Sequence, residues 1–414
     1  MRIPAVNSQL LLVFLINCAI LTVGMGLFPV LPLYASDLGA SSTLIGVYLA
    51  LTYASITFGT LTFGWLAVRF PHRRILAAAG VVGIPTLILM GQVKSVWPLI
   101  VLTGVVWFIG GVGLSLASVL TGMIADKTHR GKSFSLMSLS LPLASLIGGT
   151  AVGQLITWRG YPLMFAVLGA SWVFLPLIAW KLEDCTLAGR RLPGDDRVRV
   201  SRMSSAFYIF ALVMLLATVA VNIGRLGTSL SMHALDFSAS QVATTATVSG
   251  LLTIPVVLLI GPISDRVARR HMLALAFGLI VAGALALVAA TQLWHFWLAT
   301  TLLLVGQAAN GALSAALITD FLRPEELIRG LSRINTVSFS AGVLTFATSG
   351  YLFGRLGDGP VYVIAAIAGG VAVVLLEWIG RELLPQDALR SVVEDARRIT
   401  QSRLAVRASH KTKT

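Results

Sequence analysis

At 414 residues, 56% hydrophobic and only 12% charged, with a mean hydropathy of +0.87, the chain is too apolar for a water-soluble fold. Its 31 Lys and Arg against 17 Asp and Glu leave a net charge of +14, which in a soluble protein would point to nucleic acid. Here the basic residues lie in short loops between long apolar runs, which excludes that reading.

Apolar stretches with few charges fall at about 10–34, 43–68, 75–93, 97–124, 133–157 and 162–180, then at 206–232, 242–263, 272–291, 295–319, 332–354 and 361–383. Each is long enough to cross a bilayer as a helix. Helices are the only choice, because backbone groups in lipid must bond within their own segment and the runs are too long for barrel strands. The expected fold is all-α and integral to the membrane, with twelve transmembrane helices in two six-helix bundles. The bundles take residues 1–180 and 206–384, a polar loop 181–205 joins them, and a basic tail fills 385–414. The first run has no persuasive cleavage site after it and is read as a retained span. Cys18 lies in that run and Cys185 in the central loop, so no bridge, metal or redox role follows from them.

Loop charges set the orientation. If the N-terminus is cytosolic and sides alternate, 27 of the 31 basic residues fall on the cytosolic side and Lys94, Arg159 and Arg355 on the other. Arg225 alone lies within a span. Both termini are therefore expected in the cytosol, with the bacterial cytoplasmic membrane as the expected location. The tail carries Leu389, Val392, Val393, Ala396 and Ile399 at helical spacing among arginines, compatible with a basic surface helix or a solvated tail.

The two halves resemble each other. Leu31–Ser41 (LPLYASDLGAS) aligns with Leu230–Ser240 (LSMHALDFSAS), and the same offset carries Arg130-Gly131 onto Arg329-Gly330. Such a duplication predicts a substrate path between the halves.

The loop after the eighth span reads Gly261-Pro-Ile-Ser-Asp265-Arg266-Val-Ala-Arg269-Arg270, and the chain as a whole resembles the major facilitator superfamily on this motif. The first-half copy, Gly64-Trp-Leu-Ala-Val68-Arg69-Phe-Pro71-His-Arg73-Arg74, has Val68 in place of the motif's Asp and Pro71 in place of its Gly. The resemblance implies that Gly64 and Gly261 allow tight helix contact. It also implies that Arg69, Arg73, Asp126, Arg130, Asp265, Arg266 and Arg269 belong to a charge latch on the cytosolic face; the same arginines serve equally as topology signals. Asp126–Gly131 and Trp158–Tyr161 resemble the family's loop after helix 4 and its corner after helix 5. Gly148-Gly149-Thr-Ala-Val-Gly153 is a partial version of the glycine stripe of drug-proton antiporters, while Trp107 stands where those proteins carry an intramembrane Arg.

A charge near the bilayer centre costs about 3 kcal/mol or more unless it faces a polar cavity or a partner. Arg225, with Asn222 one turn earlier, is the leading candidate for substrate binding, through a donor fork suited to an anion or a carbonyl. The bland alternative is an Arg snorkelling to the surface. Glu377 is a coupling candidate, although Arg381 at i+4 suggests an ion pair at the helix end. Neutral candidates for the cavity are Asn17, Tyr48, Tyr53, Gln154, Gln307 and Asn310, each of which could equally bond one helix to another.

No phosphate-binding Gly-rich loop, Cys/His metal spacing or nucleophile elbow is present, so neither an enzyme nor an ATP-driven pump has residue support, and no cofactor or metal is expected. The expected activity is secondary transport by alternating access, with efflux of drug-like or amphipathic metabolites first. Uptake or exchange of an organic anion or sugar-like solute anchored by Arg225 comes second, and a transport-dead sensor or scaffold third. The expected partners are a small-molecule substrate and the lipid bilayer, with the proton as a candidate coupling ion and the chain acting as a monomer.

Overall fold

The computed structural model describes residues 8–124, 137–182, 205–264, 267–321 and 327–379. In the first half α1 (Ser8–Leu27), α2 (Leu31–Asp37), α3 (Ser42–Arg69), α4 (His72–Met90) and α5 (Val96–Ile124) are followed by α6 (Ser140–Ser171) and α7 (Phe174–Lys181). In the second half α8 (Ser205–Ala234), α9 (Ala239–Ser264), α10 (Arg269–Val288), α11 (Leu293–Phe321), α12 (Leu327–Leu356) and α13 (Asp358–Ile379) follow in order. Ten segments are long and apolar enough by themselves to cross a membrane. One of these, Ser140–Lys181, contains two crossings, because Arg159 (φ −145°) and Gly160 (φ +71°) break α6 into two helices. With that division and with α11, the chain has twelve transmembrane helices.

The first expected span is interrupted. α1 stops at Leu27 and α2 begins at Leu31, with Phe28-Pro29-Val30 between them and Pro32 in the first turn of α2. Proline lacks the N–H that continues a helix and crowds the preceding turn, so two prolines three residues apart bend the chain here. The bend brings Phe28 to the centre of the molecule, where its ring meets those of Tyr53 and Phe346.

Arg69, Arg73, Arg74, Lys181, Arg269 and Arg270 mark one end of the bundle, called here the basic end. Asp37, Asp236 and Asp358 lie at the far end. The two repeated segments, 31–41 and 230–240, occupy matching places there, each joining the first helix of its half to the second. Asp126, Arg130, Asp265 and Arg266 lie outside the described residues, as do most of the 181–205 loop and the 385–414 tail.

The halves meet along two helix pairs, α3 with α12 and the first part of α6 with α9. Small residues decide how closely they approach. A Cβ on Gly46 would stand 2.8 Å from the Gly350 Cα, and one on Gly149 would stand 2.6 Å from the Thr247 N. No larger residue fits either place. Four hydrogen bonds join the halves among the described residues. They are Ser36 Oγ with His233 Nε2 (3.1 Å), Ser145 Oγ to the Ala246 carbonyl (2.8 Å), Thr150 Oγ1 to Thr247 Oγ1 (3.4 Å) and Arg225 Nη1 to Tyr53 Oη (3.4 Å). The residues that α3, α8 and α9 contribute lie in the halves of those helices nearer the far end. At the basic end no described residue outside its own helix turn comes within 4 Å of where a Cβ on Gly64 would be. The far end is thus closed by packing and hydrogen bonds.

Candidate functional site

Arg225 lies in α8 with Val221, Ile223 and Leu226 buried around it. Its guanidinium stacks over the Phe28 ring at 3.8 Å from the centroid and donates to Tyr53 Oη. Stacking on an aromatic face stabilises a cation by about 1–2 kcal/mol when water is excluded, which helps hold the charge at this depth. Cation, ring and phenol come from α8, the break after α1, and α3, so both halves build the centre.

Two cavities open from this centre and share Arg225, Met25 and Phe28. One, of about 60 Å³, is lined by α8, α9 and α11 together with Ser145 and Pro29. Its wall is rich in hydroxyls, and Gln307 of α11 reaches it. The other, of about 120 Å³, extends into the first half and is lined by Trp107, Trp172, Tyr53, Phe339 and aliphatic side chains. Among the described residues no Asp or Glu lines either cavity. A larger hollow of about 590 Å³ lies between α3, α4 and α5, lined by hydrocarbon with Arg74 at its edge, away from Arg225.

The structure sorts the residues singled out in the sequence. Arg225, Tyr53 and Gln307 line the cavities. Asn222 does not: it is buried, with its Nδ2 toward α12 at Gly342 and without a hydrogen-bond partner. Asn17 donates to Ser140 Oγ (2.6 Å) and Tyr48 Oη pairs with Thr103 Oγ1 (2.9 Å), so both tie helices together within the first half. Gln154 is exposed and lines no cavity, because its position on α6 faces outward. Asn310, one turn past Gln307, has a buried Oδ1 without a partner and is not part of the wall.

At the basic end Arg69 lies over the Trp65 ring (4.2 Å) on the exposed side of α3. Arg73 Nε donates to the Leu182 carbonyl (2.6 Å), holding the end of α7 against α4. Among the described residues no neighbouring helix lies within 4 Å of where a Cβ on Gly64 would be, and Gly261 lies in the last turns of α9. Arg269 opens α10. Glu377 pairs with Arg270 of α10 (3.6 Å), a partner that spacing along one helix could not reveal; Arg381 lies outside the described residues.

Sequence reading passed over Phe28, Ser229, Trp172 and the hydroxyls of α9. A signal for Ser229 existed: Thr228 and Ser229 follow Arg225 at i+3 and i+4, hence on its face.

Two six-helix halves, packed on each other at one end around a cation between them, make the two-bundle architecture of a membrane transporter. A family model for the Major Facilitator Superfamily matches residues 12–223 and 200–409, and the chain belongs to that superfamily, whose members bind small-molecule substrates within the membrane. A solved structure described as a bacterial homolog to the human lysosomal transporter Spinster, in an inward-facing and occupied conformation, superposes with a TM-score of 0.70 at 14% identity. The match covers 91% of this chain and 97% of that one. The likeness is one of fold. The chain is an integral, multi-pass membrane protein and a transporter rather than an enzyme.

Proposed function

We propose that this protein is a secondary transporter that binds an organic solute at Arg225 and moves it by rocking one six-helix half against the other. The observation that carries the reading is the position of Arg225, a charge within a membrane-spanning helix that faces two cavities at the junction of the halves. A cation kept there at a cost of several kcal/mol has a use in recognition. With 27 of 31 basic residues on one side, the basic end and both termini are assigned to the cytosol, in a bacterial cytoplasmic membrane. The closed far end then makes this an inward-facing arrangement.

Export is favoured by the partial glycine stripe of the fifth span; uptake or exchange of an organic anion uses the same anchor and differs only in direction. With no carboxylate among the described residues of the cavity walls, and Glu377 paired to Arg270 at the basic end, substrate charge or a uniport cycle takes precedence over proton loading at Glu377. The chain is assigned to act as a monomer.

Flux in proteoliposomes tests the reading. Solute movement that stops in Arg225→Ala, with the variant folded and inserted, supports it. A monodisperse protein that moves no organic anion, cation or neutral amphiphile in either direction returns the chain to the sensor or scaffold reading.

A further inference from the structure

The two cavities at Arg225 differ in chemistry, and the difference specifies a ligand. In the smaller one Thr228, Thr245, Ser249 and Thr300 each donate their proton to a carbonyl of their own helix, to Gly224 (2.8 Å), Val242 (2.7 Å), Ala246 (3.2 Å) and Phe296 (2.7 Å) respectively. A hydroxyl so engaged has only lone pairs left to offer a ligand. Donors on this wall are the Arg225 fork, the Gln307 amide and Ser229, whose hydroxyl is buried without a hydrogen-bond partner in a residue 1% exposed. A buried hydroxyl left unpaired is costly, and a ligand oxygen would satisfy it.

The wall therefore presents a cation and a free hydroxyl to an anion, beside a row of acceptors for a ligand donor. Since no Asp or Glu among the described residues lines it, no described side chain there balances an ammonium group. A neutral donor such as a hydroxyl fits. The second cavity, reached past the shared Phe28, is walled by Trp107, Trp172 and Phe339 with aliphatic side chains, and suits an aromatic or branched hydrocarbon group.

Resting on the assignment of Arg225 as the transport site, we propose that the ligand is a hydrophobic hydroxycarboxylic acid. Its carboxylate lies on Arg225 and Ser229, its hydroxyl donates to the threonine and serine oxygens of α8, α9 and α11, and its hydrocarbon group fills the cavity beside Trp107.

Binding to the purified full chain in lipid nanodiscs tests this, with 3-phenyllactate, 3-phenylpropionate, phenylalanine, 3-phenyl-1-propanol and lactate as probes. 3-Phenyllactate is expected to bind about 10-fold or more tighter than each of the other four, since a site built to bond a substrate hydroxyl and charge rejects analogues lacking them. Ser229→Ala is expected to weaken 3-phenyllactate several-fold, and Trp107→Ala to reduce its advantage over lactate. Phenylalanine or phenylpropanol binding as tightly as 3-phenyllactate overturns the substrate class, as does no 3-phenyllactate binding at millimolar concentration. If 3-phenyllactate binds equally well to Arg225→Ala, the assignment of the site itself falls; if Arg225→Ala loses every probe but the five do not differ in wild type, the site stands and the class falls.

Discussion

The Arg225 guanidinium lies 3.8 Å from the centroid of the Phe28 ring, and that contact joins the two halves of the protein at the bend between α1 and α2. Phe28 is 4% exposed and Arg225 only partly buried, so the ring shields one face of the cation while its other side borders the cavities. A charge held this way stays available to a ligand, and removing either partner should be felt at the site before it is felt in the fold.

Arg225→Lys separates charge from shape. Lysine keeps the charge but loses the planar fork and most of the stacking on Phe28. Flux is expected to fall about 10-fold or more, the loss of one bidentate, charge-assisted contact worth roughly 1.5–3 kcal/mol. Proteoliposome uptake at matched protein content measures it, with Phe28→Leu as the intermediate case.

At the far end, Ser36 and His233 belong to opposite halves and lie 3.1 Å apart. The variant carrying Ser36→Cys and His233→Cys is expected to react with a short bifunctional thiol reagent and then to stop transporting, because the far end can no longer open. Each single substitution treated alike should keep transporting.

Gly350→Val addresses the same closure from the other side. Gly46 and Gly350 approach so nearly that a Cβ on Gly350 would stand 2.7 Å from the Gly46 Cα. Valine should force α3 and α12 apart and shift the population toward the far-open state. Spin-label distances across the far end should lengthen in the variant, with helical content unchanged.

The Arg270–Glu377 pair is 3.6 Å long and partly exposed, at 18% and 30%. Such a pair contributes about 0–1 kcal/mol. Glu377→Gln is expected to lower thermal stability slightly and to leave the pH profile of flux unchanged. A profile flattened by the substitution would make Glu377 a proton carrier.

Asn17→Ala and Tyr48→Phe remove hydrogen bonds between helices of the first half. Each is expected to cost about 1 kcal/mol in unfolding experiments and to leave ligand affinity as it was.

Helix number and order were legible because each crossing is a long apolar run, a signal that depends on composition and not on neighbours. The break after Leu27 was less so: Pro29 and Pro32 are visible, but membrane helices often absorb prolines without stopping. Tyr48 and Tyr53 looked alike in sequence. Five residues rotate a helix by about 140° from its starting face, so one tyrosine turns to Thr103 and the other to Arg225. Glu377 was matched with its own-helix neighbour because i+4 spacing can be read along a chain, whereas its contact with Arg270 exists only once α10 and α13 lie at the same end. The hydroxyl wall escaped notice for a related reason. Ser and Thr are common in membrane helices, and only packing distinguishes those that reach a cavity.

Recognition of the substrate by Arg225 is open to direct measurement. Its most direct test is a thermal-stabilisation panel of anionic, cationic and neutral amphiphiles, run on wild type and on Arg225→Ala in nanodiscs. Carboxylates are expected to stabilise the wild type more than amines or alcohols of equal size, and this preference is expected to disappear in Arg225→Ala. The same preference in both proteins would contradict it.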